Sequence, residues 1–369
     1  MASESADVVV IGGGAVGTSV AYHLTELGVP SVLLLERDAL GSGSTSKSAG
    51  GVRTQFADEL NIRIALRSLR EFQAFEERFG MDIAFRQAGY LFLLDQEADV
   101  ESFEAALALQ ASLGVPSRSL TPAAIEEMVP QLETSDLIAG TFCPLDGYAT
   151  PEAVVAGYAA AARDRGACIR QGDPAERIEV RDGHIVAVET RSTRVATSAV
   201  VCAAGVWSRD VAALAGVELP VEGELRSVHY TPEADALPDP LPLTIDFSTG
   251  FYFHREGPGL VFGGREAALD ELALAATKRL PLIADLPVHT SWAGYYEMSP
   301  DRNAIVGETA EPARFLYATG FSGHGFQQSP AVGEYLAELV VGQTPTLDLS
   351  AFSLERFARG ERRREQFVI

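Results

Sequence analysis

Val8-Val9-Val10-Ile11-Gly12-Gly13-Gly14-Ala15-Val16-Gly17 is the stretch that decides how this chain reads. Four β-branched residues in a row, bounded by glycine, predict a strand buried on both faces. They run into Gly12-x-Gly14-x-x-Gly17, and apolar residues then recur at Val20, Ala21, Leu24 and Leu27, as on a helix closed by Gly28. In such a unit Gly12 makes the turn, Gly14 lets a phosphate reach the backbone, and Gly17 lets helix and strand pack closely. The helix start, at Ala15 and Val16, offers free N–H groups and a partial positive charge to a pyrophosphate. A second apolar run, 31–35, ends at Glu36, 19 residues beyond Gly17, where a carboxylate accepts hydrogen bonds from both hydroxyls of a ribose. Strand, turn, helix and acid at these distances predict a bound dinucleotide, where a glycine turn alone would not.

A length of 369 residues favours two domains with ample core. Hydrophobic content of 47% suits a globular enzyme, and no apolar run approaches the ~20 residues of a membrane span. Met1 to Asp7 lack the basic start and apolar core of a signal peptide, so the reading is cytoplasmic. Cys143, Cys168 and Cys202 are scattered and odd in number, giving neither a disulfide framework nor a metal site. A net charge of -22 argues against nucleic acid as a partner. Only Lys47 and Lys278 among the basic residues are lysine. An acidic, lysine-poor surface suits a halophilic protein kept soluble in brine, and it equally suits a GC-rich genome.

Beyond Glu36, residues 37–53 are too rich in Gly and Ser for a strand, and they can run along a cofactor with hydroxyls and N–H groups facing phosphates. A helix is expected over 60–79, a strand over 89–94, a helix over 95–113, and capped helices after Thr121-Pro122 and Thr150-Pro151. Short strands over 177–180 and 185–189 flank the turn Asp182-Gly183. The apolar run 199–205 leads to Trp207, and 221–296 is strand-rich. A strand over 315–319 then enters Gly320-Phe321-Ser322-Gly323-His324-Gly325-Phe326, with a helix expected over 331–341. The arginines at 356, 359 and 362–364 read as a solvated helix end.

The opening turn, the Leu35-Glu36-Arg37 strand end, the Ser44-Thr45-Ser46 loop and the closing Gly-Phe-Ser-Gly-His-Gly-Phe resemble the FAD-dependent amino-acid oxidoreductases, the D-amino acid oxidase superfamily. The likeness is greatest to sarcosine oxidase β subunits, dye-linked L-proline dehydrogenases and sarcosine dehydrogenases. It implies an α/β fold: a Rossmann-like FAD-binding domain over 1–80, 150–220 and 297–369, with an inserted antiparallel-sheet α+β substrate domain over 81–149 and 221–296. It also implies FAD held by Gly12, Gly14, Ala15, Val16, Gly17, Glu36, Arg37, Ser44, Thr45, Ser46, Gly50 and Gly51. Further contacts fall to Ala175, Ala204, Gly205 and Trp207, then to Gly320, Ser322, Gly323, His324, Gly325 and Phe326. The implied reaction is oxidation of the C–N bond of a small amino acid, a secondary amine such as sarcosine or proline, by hydride transfer to flavin N5 and imine hydrolysis. The rivals are a D-amino acid or glycine dehydrogenase or oxidase, and a non-enzymatic flavoprotein assembly factor.

Departures from the family pattern narrow this. No cysteine stands beside Gly294-Tyr295-Tyr296-Glu297, and Lys47 and Ser48 occupy the place of a linking histidine, so the FAD is expected to be non-covalent. The lysine that activates oxygen in some oxidases falls on Val261, which favours a dehydrogenase passing electrons to a protein, quinone or dye, with a partner subunit possible in this group. Gln327 replaces a carboxylate-holding lysine, and the Gly-x-Arg-Pro clamp is absent. A substrate carboxylate is held best by a planar guanidinium. Arg53 and Arg265 are the candidates, with Tyr252, His254 and Tyr296 lining the pocket.

Overall fold

A computed structural model describes residues 3–265 and 269–368. Val8–Ile11 stands inside a six-stranded sheet ordered Ile305–Glu308, Phe315–Thr319, Val200–Cys202, Val8–Ile11, Val32–Glu36 and Cys168–Gln171. All neighbours are parallel except Ile305–Glu308 against Phe315–Thr319. Both faces are covered, so every residue of the strand is apolar. Val8 and Val10 pack against helices Ala15–Glu26, Pro151–Asp164 and Gly325–Val340 through Val20, Leu24, Tyr158 and Val332. Val9 and Ile11 face a four-stranded sheet through Ile178, Ile185, Val188 and Val195. In that sheet Asp182 and Gly183, at φ 49° and 74°, reverse the chain as a two-residue hairpin requires.

The second large sheet has eight strands, in the order Thr290–Met298, Glu222–Thr231, Gly259–Gly263, Tyr252–Glu256, Leu243–Asp246, Tyr90–Leu94, Ala139–Cys143 and Arg118–Leu120. Its pairs are antiparallel except Leu243–Asp246 beside Tyr90–Leu94. Leu91, Leu93, Phe253 and Phe262 pack under helix Leu269–Arg279. Alternation turns Tyr90, Phe92, Leu243, Ile245 and Tyr252 to the opposite face. The fold is therefore α/β with a Rossmann-like sheet and an antiparallel-rich second sheet, as the sequence implies.

Several local expectations need correction. The closing helix begins at Gly325 and not at Ala331, with Pro330 at its sixth position. A proline there leaves the Phe326 carbonyl without its amide partner, and Ser329 Oγ donates to that oxygen at 2.8 Å. The helix expected over 60–79 breaks at Ala74 into Glu59–Gln73 and Phe75–Phe79. Strand Leu243–Asp246 was hidden by prolines at 238, 240 and 242, which all precede it and so cost the ladder nothing. Arg356 is no solvated helix end: it is buried, paired to Asp301 at 2.9 Å, with Asp301 itself buried.

Candidate active site

A cavity of about 440 Å³ extends from the glycine turn to the eight-stranded sheet. At its start Gly12 holds φ 112°, and a Cβ there would overlap the Ala203 carbonyl and lie 2.9 Å from Ala204 Cα. A Cβ on Gly17 would fall on the Gly12 carbonyl oxygen. The following helix has no capping side chain of its own, and Thr45 Oγ1 accepts the Ala15 N–H at 3.2 Å. Its first turn carries no acid, so the dipole faces the cavity uncompensated. Glu36 accepts the Gly13 N–H at 2.7 Å and the Asp38 N–H at 2.8 Å, which fixes its carboxylate on the cavity wall. Arg37 lies 3.8 Å over the Trp207 ring, and both line the cavity with Ala175, Ala204 and Gly205. The chemistry of these donors fits a dinucleotide: N–H groups for the pyrophosphate, an acid for the ribose, an aromatic plane beside it.

Ser44 and Thr45 line the same cavity, and so do Gly323, Gly325 and Phe326 from the second glycine loop and the start of its helix. Glu297, which sequence reasoning missed, also lines this cavity. Burial pushes its carboxyl up to about 7, although it accepts from Thr319 Oγ1 at 2.8 Å and the Gly320 N–H at 3.2 Å. Alternation along Thr290–Met298 gave no signal for it, since Gly294, Tyr295, Tyr296 and Glu297 all line the cavity.

A smaller cavity of about 60 Å³ abuts the first, sharing Ser48, Ala49, Tyr252, Tyr296, Gly323 and Phe326 with it. Its walls add Gly51, Arg53, Tyr90, Phe92, Leu243, Ile245, Ser322, His324, Gln327 and Phe367. Arg53 is the cation here, 4% exposed. Its guanidinium donates to the carbonyls of Gln55 and Phe367 (2.6 Å to the latter) and to His324 Nε2 at 2.8 Å. It stacks 4.1 Å over Phe56 and forms no ion pair among the described residues. His324 Nδ1 faces the Phe321 carbonyl at 3.1 Å, so the Nδ1–H tautomer satisfies both ring nitrogens. Burial, with Arg53 beside it, holds that imidazole well below its usual range and therefore neutral. Gln327, standing where a lysine was expected in relatives, accepts the Arg53 backbone N–H at 2.6 Å.

Other expected residues lie elsewhere. Arg265 lines neither cavity; it folds back over Gly250 and donates to the Phe247 and Ser248 carbonyls at 3.1 Å. His254 lines neither, with both ring nitrogens facing carbonyls of Arg255 and Ala49, and burial pushes its pKa down to about 4. Gly17, Ser46, Gly50 and Gly320 serve the backbone around the cavities without lining them. Val261 also lines neither; in the ladder it stands opposite His254, which lines neither as well. Lys47 and Arg226 do line the larger cavity, and Arg226 lies 5.3 Å over the Tyr296 ring. A cation missing at Val261 is thus no ground for judging oxygen reactivity.

No group of acids, histidines and cysteines fit for a metal occurs among the described residues, and no helix among them is long and apolar enough to cross a membrane. The family model for DAO, FAD dependent oxidoreductase, matches residues 7–339. The FAD-dependent oxidoreductase domain-containing protein 1 of Xenopus laevis is 32% identical, over 96% of this chain and 83% of its own length. The mitochondrial sarcosine dehydrogenase of Homo sapiens is 27% identical over 96% of this chain but only 42% of its own. The crystal structure of L-proline dehydrogenase from P. horikoshii superposes with a TM-score of 0.92 at 33% identity, covering 98% of this chain and 100% of that one.

Proposed function

The chain belongs to the DAO family of FAD-dependent oxidoreductases, and from that membership we propose that it oxidises the C–N bond of a small, carboxylate-bearing secondary amine such as sarcosine or proline. One observation carries this reading: a buried guanidinium without an ion-pair partner among the described residues lines a small cavity that opens on the FAD cavity. A buried cation left in that state favours an anion brought by a ligand. At ~12 Å³ per water-sized group, the 60 Å³ of the smaller cavity suit a molecule of a few heavy atoms. The names of the sarcosine and proline dehydrogenases among its relatives point the same way.

The wall residues define what the protein contributes. Arg53 orients the substrate by its carboxylate, and orientation of this kind supplies much of the rate. Phe92, Leu243, Ile245, Phe326 and Phe367 give the rest of the molecule apolar contact and exclude water. Among the described residues no carboxylate lines this cavity to hold an ammonium, which favours the neutral amine. Burial raises the phenol pKa values of Tyr90, Tyr252 and Tyr296, so these side chains stay protonated and act as hydrogen-bonding groups, not bases. FAD, when bound, supplies the two-electron acceptor for the hydride leaving the carbon next to nitrogen. Anaerobic mixing with sarcosine, L-proline, glycine and D-alanine tests the proposal. Bleaching of the flavin by a secondary amine is expected, and bleaching by glycine or D-alanine alone, or by none of them, overturns it.

We infer also that the FAD is held without a covalent bond. Gly294 packs against Lys47, so the segment beside which relatives carry a linking cysteine meets the loop where others carry a linking histidine, and this chain has neither residue there. Acid precipitation is expected to leave all the flavin in the supernatant; a yellow pellet would refute this.

A further inference from the structure

We propose that Asp146 is a positioning residue for Arg53: by holding Thr54 and Gln55 it fixes the guanidinium in the orientation that receives a substrate carboxylate. The inference rests on the reading of Arg53 as the carboxylate holder. Strand Gly51–Val52 pairs with Gly147–Tyr148, and this brings the turn containing Asp146 against residues 53–55. Asp146 is fully buried. Its Oδ1 accepts from the Thr54 N–H at 2.8 Å and from Thr54 Oγ1 at 2.6 Å, and its Oδ2 accepts from Gln55 Nε2 at 3.3 Å. All of these side-chain bonds go to the two residues that follow Arg53, and none goes to a cation. Gln55 returns the constraint, since its carbonyl accepts from the Arg53 guanidinium. On the other side Gln327 accepts the Arg53 backbone N–H. The segment is therefore clamped from both flanks, and Asp146 is the charged half of the clamp.

The residue type follows from the donors. Three N–H or O–H groups converge on one side chain, and a carboxylate accepts all of them while donating nothing. An asparagine would set its own amide hydrogens against those of Gln55. A buried carboxylate without a cation is costly to keep, so an apolar or amide residue would serve better if only packing were at stake. Burial pushes the Asp146 carboxyl up to about 6 in spite of the Thr54 and Gln55 bonds. The charged or titratable groups that face it are Arg53, Tyr90 and Cys143. Burial raises the Tyr90 phenol and pushes the Cys143 thiol up to about 12, so neither ionises near neutral pH. As pH falls through about 6, Asp146 takes a proton, loses acceptor capacity, and the clamp on Thr54 and Gln55 loosens.

The test uses holoenzyme and two readouts: KM for the amine that bleaches the flavin, and the Kd of acetate, read from the flavin spectrum. Asp146→Asn and Thr54→Val are each expected to raise both about tenfold, the scale of one hydrogen bond to a charged group. The kcat should change less than about twofold, and Thr54→Ser should restore the wild-type values. In the wild type the Kd of acetate should rise as pH drops below about 6, and in Asp146→Asn that inflection should be gone. An inflection near 7 from Glu297 would survive the substitution. Should Asp146→Asn fail to fold, Thr54→Val decides alone. Wild-type KM and Kd in Thr54→Val or Asp146→Asn, with both raised in Arg53→Lys, would overturn the proposal and leave the role of Arg53 standing. Unchanged values in Arg53→Lys would remove that role, and the inference with it.

Discussion

Arg53→Met is expected to lower kcat/KM by about two to three powers of ten while the protein still purifies with FAD. Truncating one member of a buried charged contact costs about 2–5 kcal/mol, and each 1.4 kcal/mol is a factor of ten. Methionine matches much of the volume of the side chain, so Phe56 and Phe92 keep their packing while the donors disappear. The FAD cavity does not include Arg53 among its lining residues, which is why the cofactor should remain. Loss is expected mainly in KM, with acetate no longer perturbing the flavin spectrum. Steady-state kinetics with flavin occupancy measured on the same sample checks this, and a kcat/KM within threefold of wild type would refute it. Arg265→Met is the contrast: its donors go to the Phe247 and Ser248 carbonyls away from both cavities, so kcat/KM should hold while stability drops.

Gly12→Ala should yield a colourless protein. At φ 112° an L side chain is strained by about 1–3 kcal/mol, and its Cβ would overlap the Ala203 carbonyl, which is backbone and cannot rotate aside. Overpacking of that kind adds about 1–3 kcal/mol. Relief requires the turn to move away from the strand Val200–Cys202, and that displaces the N–H groups of the same turn from the cavity. A loss of two to four powers of ten in FAD affinity is the expected result. Thermal melting with and without added FAD is the measurement: the wild type should gain stability from the cofactor and the variant should not. A variant that purifies yellow with wild-type flavin content would refute the prediction.

Local chemistry made much of the cofactor side legible. The glycines of the first turn are forced by close approach of backbone to backbone, as Gly12 and Gly17 show, and such constraints leave a residue-type signature at fixed spacing. Glu36 was legible for the same reason, since it ends a strand whose start and length are set by the apolar pattern. The second glycine loop was legible as a motif, but its helix start was misplaced, because Pro330 marks a helix beginning unless a side chain such as Ser329 relieves it.

What the sequence by itself determined is thus the strand-turn-helix unit, the dinucleotide it serves, the fold class and Arg53 as one of two candidates. Only the tertiary structure put Arg53 on the wall of the smaller cavity and Arg265 away from both, because the direction of a side chain past a strand end depends on which carbonyls it meets. It alone placed Lys47 and Arg226 on the cavity wall and Val261 off it, since which residues reach a cavity depends on the elements packed beside them and leaves no trace in their own sequence neighbours. It alone assembled Asp146, His324, Gln327 and Phe367 around residues 53–55. These residues stand up to 314 positions from Arg53, and partners so distant are chosen by the packing of two sheets, for which no local pattern exists.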